Sequence, residues 1–136
     1  MNRTLVIVKP DGVERGLAGE IVGRLERKGL RLVAAELRVI TAEAAQVHYT
    51  EHAERPFFAD LVTFISRSPS LLMVLEGPND DTFAVVRGMM GVTNPYEAAP
   101  GTIRGDFGLV TQENLVHGSD SPEAAAREIA FFFPQL

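Results

Sequence analysis

The sequence predicts an α/β chain: an α+β sandwich in the split βαβ, ferredoxin-like arrangement, with a four-stranded antiparallel sheet covered by helices. Three observations lead there. Leu5-Val6-Ile7-Val8 is a continuous apolar, β-branched run of the kind a strand buried on both faces requires. Helical periodicity crosses between predicted strands within only 136 residues. A hydrophobic content of 46% suffices for one core and leaves no room for a second, so residues 1–136 are expected to form one domain.

The elements follow in order. The first strand ends in a sharp turn, Lys9-Pro10-Asp11-Gly12, which leaves Lys9 at the strand's carboxyl end. Leu17, Ile21, Val22 and Leu25 recur at helical spacing up to Lys28, with Gly29 as the C-cap. From Leu30 to Ile40 polar residues interleave with apolar ones, the pattern of a longer strand with one wetter face. Thr41 caps a helix over Glu43 to Glu51, and a short apolar helix follows Arg55-Pro56 through Phe57, Phe58, Leu61, Phe64 and Ile65. Ser70 to Leu75 returns to strand character. Asn79 and Asp80 are expected to cap a helix running to about Met90. Gly91 to Gly105 then reads as a long loop, and a loop of that length is usually functional. A last short strand is expected over Phe107 to Val110, before a loop carrying His117. Ser121, Pro122 and Glu123 open a terminal helix that stops at Pro134. The predicted order is β-α-β-α-α-β-α-β-α. Phe131, Phe132 and Phe133 span too wide a helical arc to share one core, so at least one is expected to meet a second subunit or the loop layer.

Composition excludes several functions. A formal net charge of −5 argues against general nucleic-acid binding as the main business, though it permits a local basic pocket. Without cysteine there are no disulfides, thiolate metal sites or cysteine nucleophiles, and the cytoplasm is the expected compartment. The apolar run after Met1-Asn2-Arg3-Thr4 is too short for a signal-peptide core or a membrane span, so a soluble protein with its native start is expected.

The chemistry concentrates around Asn114-Leu115-Val116-His117-Gly118-Ser119-Asp120-Ser121. Here an imidazole lies just ahead of a helix start, where unpaired N–H groups and the helix dipole favour anions. On this segment alone a phosphoryl-accepting His117 competes with an ordinary loop histidine beside a cap. Gly12, Gly16 and Gly19 match neither the P-loop nor the dinucleotide fingerprint, so side chains must hold any phosphate. Lys9, Arg55, Arg87 and Arg104 are the candidates, each with a solvated surface cation as its alternative. Phe57 offers a flat face for a base, or simply packs in the core. His48 and His52 are four apart but lack the motif glutamate and a third ligand, which makes a metal site there improbable. Tyr49 between them is a candidate phenolic donor.

Taken together, Val8-Lys9-Pro10-Asp11-Gly12-Val13 with Arg15-Gly16-Leu17, His48-Tyr49, Arg55-Pro56-Phe57-Phe58, Thr93-Asn94-Pro95, Pro100 through Phe107 and the His117 segment resemble the nucleoside diphosphate kinase family, from Thr4 to about Phe133. The resemblance implies transfer of the γ-phosphoryl group of a nucleoside triphosphate, ATP included, to a nucleoside diphosphate by a ping-pong route through a phosphohistidine. It implies His117 as nucleophile through Nδ1, with Glu128 orienting the other ring nitrogen. Lys9, Tyr49, Arg55, Arg87, Thr93 and Arg104 are similar to the family's phosphate-binding set, and Lys9 and Asn114 to the groups that meet the sugar 3′-hydroxyl. Ser119 resembles the hydroxyl next to the histidine. Phe57 matches the stacking aromatic, which implies low base selectivity because every base has a π face. Mg2+ is implied on the nucleotide phosphates, with Asp120 assisting through water. The nucleophile must be unprotonated, so activity is expected to fall in acid.

Departures from the common pattern are Ser66-Arg67-Ser68-Pro69 before the third strand, Thr111 near the base, and Tyr96-Glu97-Ala98-Ala99 in the subunit-contact loop. None touches the phosphoryl-transfer set. A homo-oligomer is implied, and the Pro95 loop favours a hexamer over a tetramer. The alternative function is a non-catalytic nucleotide- or nucleic-acid-binding regulatory module.

Overall fold

The computed structural model describes residues 2–136. Strands β1 (Arg3–Val8), β2 (Arg31–Arg38), β3 (Ser70–Glu76) and β4 (Val116–Gly118) form an antiparallel sheet in the order β2-β3-β1-β4. This is the split βαβ arrangement expected from the sequence. Helices α1 (Pro10–Glu14), α2 (Ala18–Lys28), α3 (Ala42–His48), α4 (Phe58–Ile65), α5 (Thr82–Met90), α6 (Ile103–Phe107) and α7 (Pro122–Phe132) surround it.

The alternation of side chains along the two inner strands divides the core. Val6 and Val8 of β1 with Met73 and Leu75 of β3 pack against Ile21 and Leu25 of α2 and Val86 and Met90 of α5. Leu5, Ile7, Leu72 and Val74 point the other way, onto Ala45 of α3, Val62 and Ile65 of α4, and Ile129 and Phe132 of α7. Each of these side chains except the small Ala45 contributes about 1.5–3 kcal/mol on burial. The expected caps of three helices are present. Gly29 ends α2 at φ 107, where only glycine is free of strain. Thr41 Oγ1 accepts from Ala44 N–H at 3.1 Å, and Ser121 Oγ accepts from Ala124 N–H at 3.0 Å.

Several local expectations are corrected. The strand predicted over Phe107 to Val110 is absent: Phe107 ends α6, and the fourth strand is Val116–Gly118, inside what reads as a loop. Thr102 caps α6 by accepting from Gly105 N–H at 3.0 Å, which draws Phe107 into a helix, while Leu109 and Val110 stay exposed. The free edge of β1 goes to the histidine segment, paired Val6↔Gly118, Ile7↔His117 and Val8↔Val116. Partner geometry has overridden local propensity. The turn after Lys9 is a helical turn, α1, opened by Pro10. The long loop ends at Thr102, because α6 begins at Ile103. Asp81, not Asn79 or Asp80, occupies the N-cap position of α5. Phe132 and Phe133 are both buried, because the chain leaves the helix at Phe133 and turns that ring inward, while Phe131 stays partly exposed. Arg67, in the departure before β3, donates to Glu14 at 2.6 Å and to Glu113 at 3.0 Å, tying α1 to the segment before β4.

Just before β4, Leu115 has φ 77, a left-handed conformation that costs a non-glycine residue about 1–3 kcal/mol.

Candidate active site

The register of β4 decides what His117 faces. Val116 joins the core under α2 and α5, and a side chain at Gly118 would place Cβ 2.7 Å from Met90 Sδ. His117, between them, therefore points to the opposite face, toward α3 and α7. There Glu128 Oε1 lies 3.1 Å from His117 Nε2 and also accepts from Ser119 Oγ at 2.6 Å. Ser119 is fully buried, and its Oγ accepts from Leu5 N–H of β1 at 3.3 Å, so the carboxylate is anchored to the sheet. A carboxylate only accepts, so Nε2 carries a ring proton, and in the neutral ring Nδ1 is the nitrogen that holds the free lone pair. Burial pushes the Glu128 carboxyl up, but hydrogen bonds from His117 and Ser119, with the pull of the His117 ring whenever it is protonated, outweigh it. The net position is below the ordinary 4.5, and the group is ionised.

Aromatic contacts continue from this point. The His48 ring meets His117 edge to face, centroids 4.7 Å apart at 83°, and also touches Tyr49 and Phe132. Burial, reinforced by His117, holds His48 far below the ordinary 6.5, so it is neutral. Burial, and then the Glu128 charge, push Tyr49 up to about 12, which keeps its phenol a donor. His52 links Tyr49 to Phe57, with centroids 6.3 and 5.6 Å away. Because α3 ends at His48, His52 sits on a separate 3-10 turn, and beyond the Tyr49 ring they share, His48 turns to His117 and Phe132 and His52 to Phe57.

The cations approach from other elements. Lys9, at the end of β1, donates from Nζ to Asn114 Oδ1 at 2.9 Å, and Asn114 Nδ2 donates to Thr93 O at 3.0 Å. Burial and then Arg104 bring Lys9 down to about 8, with Asp11 opposing. Arg87 of α5 donates to Gly118 O at 2.9 Å. Arg104 is buried and donates from Nε, Nη1 and Nη2 to Asn114 O, Gly91 O and Val116 O at 3.1, 2.9 and 2.7 Å. A guanidinium has five N–H groups, so two remain for a ligand. Burial, then Arg87, push Arg104 down to about 10, still charged at neutral pH.

Lys9, Tyr49, Phe57, Arg87, Thr93, Arg104, Asn114, His117, Asp120 and Glu128 thus line one cleft of about 500 Å³, together with Leu61, Phe64, Thr111 and Gln112. Of the residues singled out in the sequence, Ser119 lies behind Glu128. Arg55 is exposed on the turn before Phe57 and does not line the cleft. Two residues were missed. His48 stands in the sequence as a spacing partner of His52 and in the His48-Tyr49 motif, neither of which gives it a role beside His117. Asp11 reads in the sequence as part of a turn, and no periodicity marks it as buried.

His48, His117 and Glu128 each bring a donor atom within 4.8 Å of the others. Two imidazoles and a carboxylate suit a zinc-like ion, but Lys9, Arg87, Arg104 and Arg127 around the same cleft oppose a bare dication and favour an anion. Mg2+ prefers oxygen ligands and retains water, which fits arrival on phosphates beside the exposed Asp120 carboxylate.

The family model described as nucleoside diphosphate kinase matches residues 2–136. The nucleoside diphosphate kinase of Archaeoglobus fulgidus is 59% identical over 133 residues, covering 98% of this chain and 87% of that protein. That of Parafrankia is 57% identical over 134 residues, covering 98% and 96%. Among solved structures, the halophilic nucleoside diphosphate kinase of Halobacterium salinarum in complex with CDP superposes with a TM-score of 0.92 at 53% identity, covering 96% of this chain and 86% of that one. A nucleoside diphosphate kinase family protein from Babesia bovis gives 0.94 at 51% identity, covering 99% and 90%.

Proposed function

Because the chain belongs to the nucleoside diphosphate kinase family, an enzyme family that transfers phosphoryl groups between nucleotides, we propose that its reaction is ping-pong and passes through a phosphohistidine on His117. The observation that carries this reading is the convergence of His117 Nε2 and Ser119 Oγ on one oxygen of Glu128, in a cleft lined with cations. It leaves Nδ1 unprotonated and free to attack. In the first half-reaction Nδ1 bonds to the γ-phosphorus, the bond from that phosphorus to the β–γ bridging oxygen breaks, and the diphosphate leaves. In the second, a terminal oxygen of the acceptor diphosphate attacks the same phosphorus and the P–N bond breaks, returning neutral His117. Glu128 stabilises the positive charge that grows on the ring.

Positioning and charge do the rest, as phosphoryl transfer requires. Lys9, Arg87 and Arg104 bind phosphate oxygens, Tyr49 and Thr93 add hydroxyl donors, and Lys9 with Asn114 meets the 3′-hydroxyl. Arg55 joins the set on the resemblance alone. Phe57 is 41% exposed and stacks on any base, which gives low base selectivity. Family members typically use a divalent cation; Mg2+ on the phosphates neutralises developing charge, with Asp120 positioned to hold its water.

Residues 1–136 act as one domain of a cytoplasmic homo-oligomer, a hexamer rather than a tetramer. The cysteine-free composition fits that compartment, and among the described residues no helix is long and apolar enough to cross a membrane. Tyr96, 81% exposed beside Pro95, supports assembly through that loop. Incubation with γ-labelled ATP and Mg2+ tests the chemistry. An acid-labile, base-stable phosphoenzyme should form and be discharged by an added diphosphate. No label on the wild type, or equal label on His117→Ala, would defeat the assignment.

A further inference from the structure

Among the described residues, Leu115 is the one non-glycine residue with positive φ, and it lies between Asn114 and the strand that carries His117. Such a conformation persists only where its surroundings over-determine it. Here the N–H and C=O of Leu115 and the carbonyls on either side are all engaged. Leu115 N–H donates to Asp11 Oδ2 at 3.1 Å, and Leu115 O accepts from Lys9 N–H at 2.8 Å. The carbonyls on either side, Asn114 O and Val116 O, accept from Arg104. Helix α1 is pressed against this peptide: a Cβ at Gly12 would lie 3.2 Å from Leu115 O and 2.8 Å from Val8 Cγ1.

Asp11 is only 3% exposed, and its Oδ1 has no hydrogen-bond partner among the described residues. A buried carboxylate left half satisfied is costly and calls for an explanation. We propose that Asp11 is a positioning residue for phosphoryl transfer, its carboxylate holding the Leu115 peptide so that Lys9, Asn114 and His117 keep one fixed relation. This rests on the roles given above to Lys9 and His117. Removing the acceptor strands a buried N–H and lets Leu115 relax, which carries Asn114 away from Lys9 Nζ and shifts the strand bearing the nucleophile.

Asp11 also acts through charge. It favours the charged form of Lys9, against burial and Arg104 of α6; Glu113, on the approach to Asn114, bears on Asp11 in the opposite sense to Lys9. His48 of α3, which feels Lys9, is neutral.

The test compares Asp11→Ala and Asp11→Asn with wild type by quenched-flow phosphorylation with γ-labelled ATP and Mg2+, each rate constant normalised to the sites that label at completion. Alanine removes acceptor and charge together; asparagine keeps an acceptor for Leu115 N–H. Asp11→Ala should lower the rate constant per competent site about 5- to 150-fold, the range for stranding a buried donor. Asp11→Asn should recover most of that loss near neutrality, while the alkaline limb of kcat/KM moves to lower pH. A role in folding alone would reduce the number of competent sites yet leave the rate constant per site and the alkaline limb as in wild type, and that result overturns the proposal. If Asp11→Ala does not fold, the limb of Asp11→Asn decides, and an unmoved limb overturns it. His117→Ala, run alongside, separates the two readings. Label persisting there defeats the phosphohistidine itself, whereas label lost there with Asp11→Ala at the wild-type rate defeats only the role of Asp11.

Discussion

Glu128→Gln is the substitution that isolates the charge on the group behind the nucleophile. Two donors, His117 Nε2–H and Ser119 O–H, converge on the same carboxylate oxygen. In glutamine they select the carbonyl oxygen for that position, so the ring tautomer is preserved and only the charge is lost. The Ser119 bond exists before and after attack and largely cancels. The His117 bond does not, because in the proposed phosphohistidine route the ring becomes cationic as Nδ1 bonds to phosphorus. A hydrogen bond involving a charged group contributes about 1.5–3 kcal/mol, against about 0.5–1.5 for a neutral one. The difference, about 1–2 kcal/mol, corresponds to a roughly 5- to 30-fold lower rate of phosphoenzyme formation. Glu128→Ala also frees the tautomer and leaves two donors unpaired, for about a hundredfold or more. Quenched-flow labelling at saturating ATP measures both, and KM for ATP should change little, since Glu128 binds the ring rather than the nucleotide. A wild-type rate for Glu128→Gln, a loss as complete as that of His117→Ala, or a loss confined to KM would each refute this account of the carboxylate.

Four further outcomes follow from the same geometry. Phe57→Ala should raise KM for all nucleotides by about 5- to 150-fold, the range for losing one stacked base, with kcat little changed; an effect on one base alone would contradict sequence-tolerant stacking. Lys9 is charged below about 8 and neutral above it, so kcat/KM of the free enzyme should fall as pH rises through that value, and Lys9→Arg should abolish that limb even if it lowers the rate. Glu14, Glu76, Asp106 and Glu128 all lie below their ordinary values in the folded chain, so these four groups bind fewer protons there than in the unfolded chain in acid, while Asp11, raised by burial, opposes them. Their stabilisation is present above the ordinary 3.8 to 4.5 and is lost as pH falls through the lowered values; a melting temperature flat across that window would contradict the assignment. Ser121→Ala removes the cap of α7 and should cost about 1 kcal/mol, read as a Tm lower by about 3–5 °C.

Much of the fold was legible because its signals are local. The apolar run of β1, the period of α2, the Gly29 terminus and the Ser121-Pro122 start each depend on residues within one or two turns. The fourth strand was illegible for the opposite reason. Val116-His117-Gly118 is short and carries a polar residue at its centre, while Phe107 to Val110 has the better β composition. Only the vacant edge of β1 distinguishes them, and that edge belongs to residues more than a hundred positions away in the chain.

The same division runs through the site. Residue identity and motif order pointed to the chemistry proposed for the chain: a histidine ahead of a helix start, cations without a glycine phosphate loop, and an aromatic next to Arg55-Pro56. Tertiary structure decided how those groups are held. It set the face on which His117 projects, joined Glu128 and Ser119 behind it, turned His48 against its ring rather than toward His52, and buried Asp11 under the strained Leu115 peptide. These are contacts between elements distant in sequence, fixed by strand register and by the packing of α1, α3 and α7, and no local pattern encodes them.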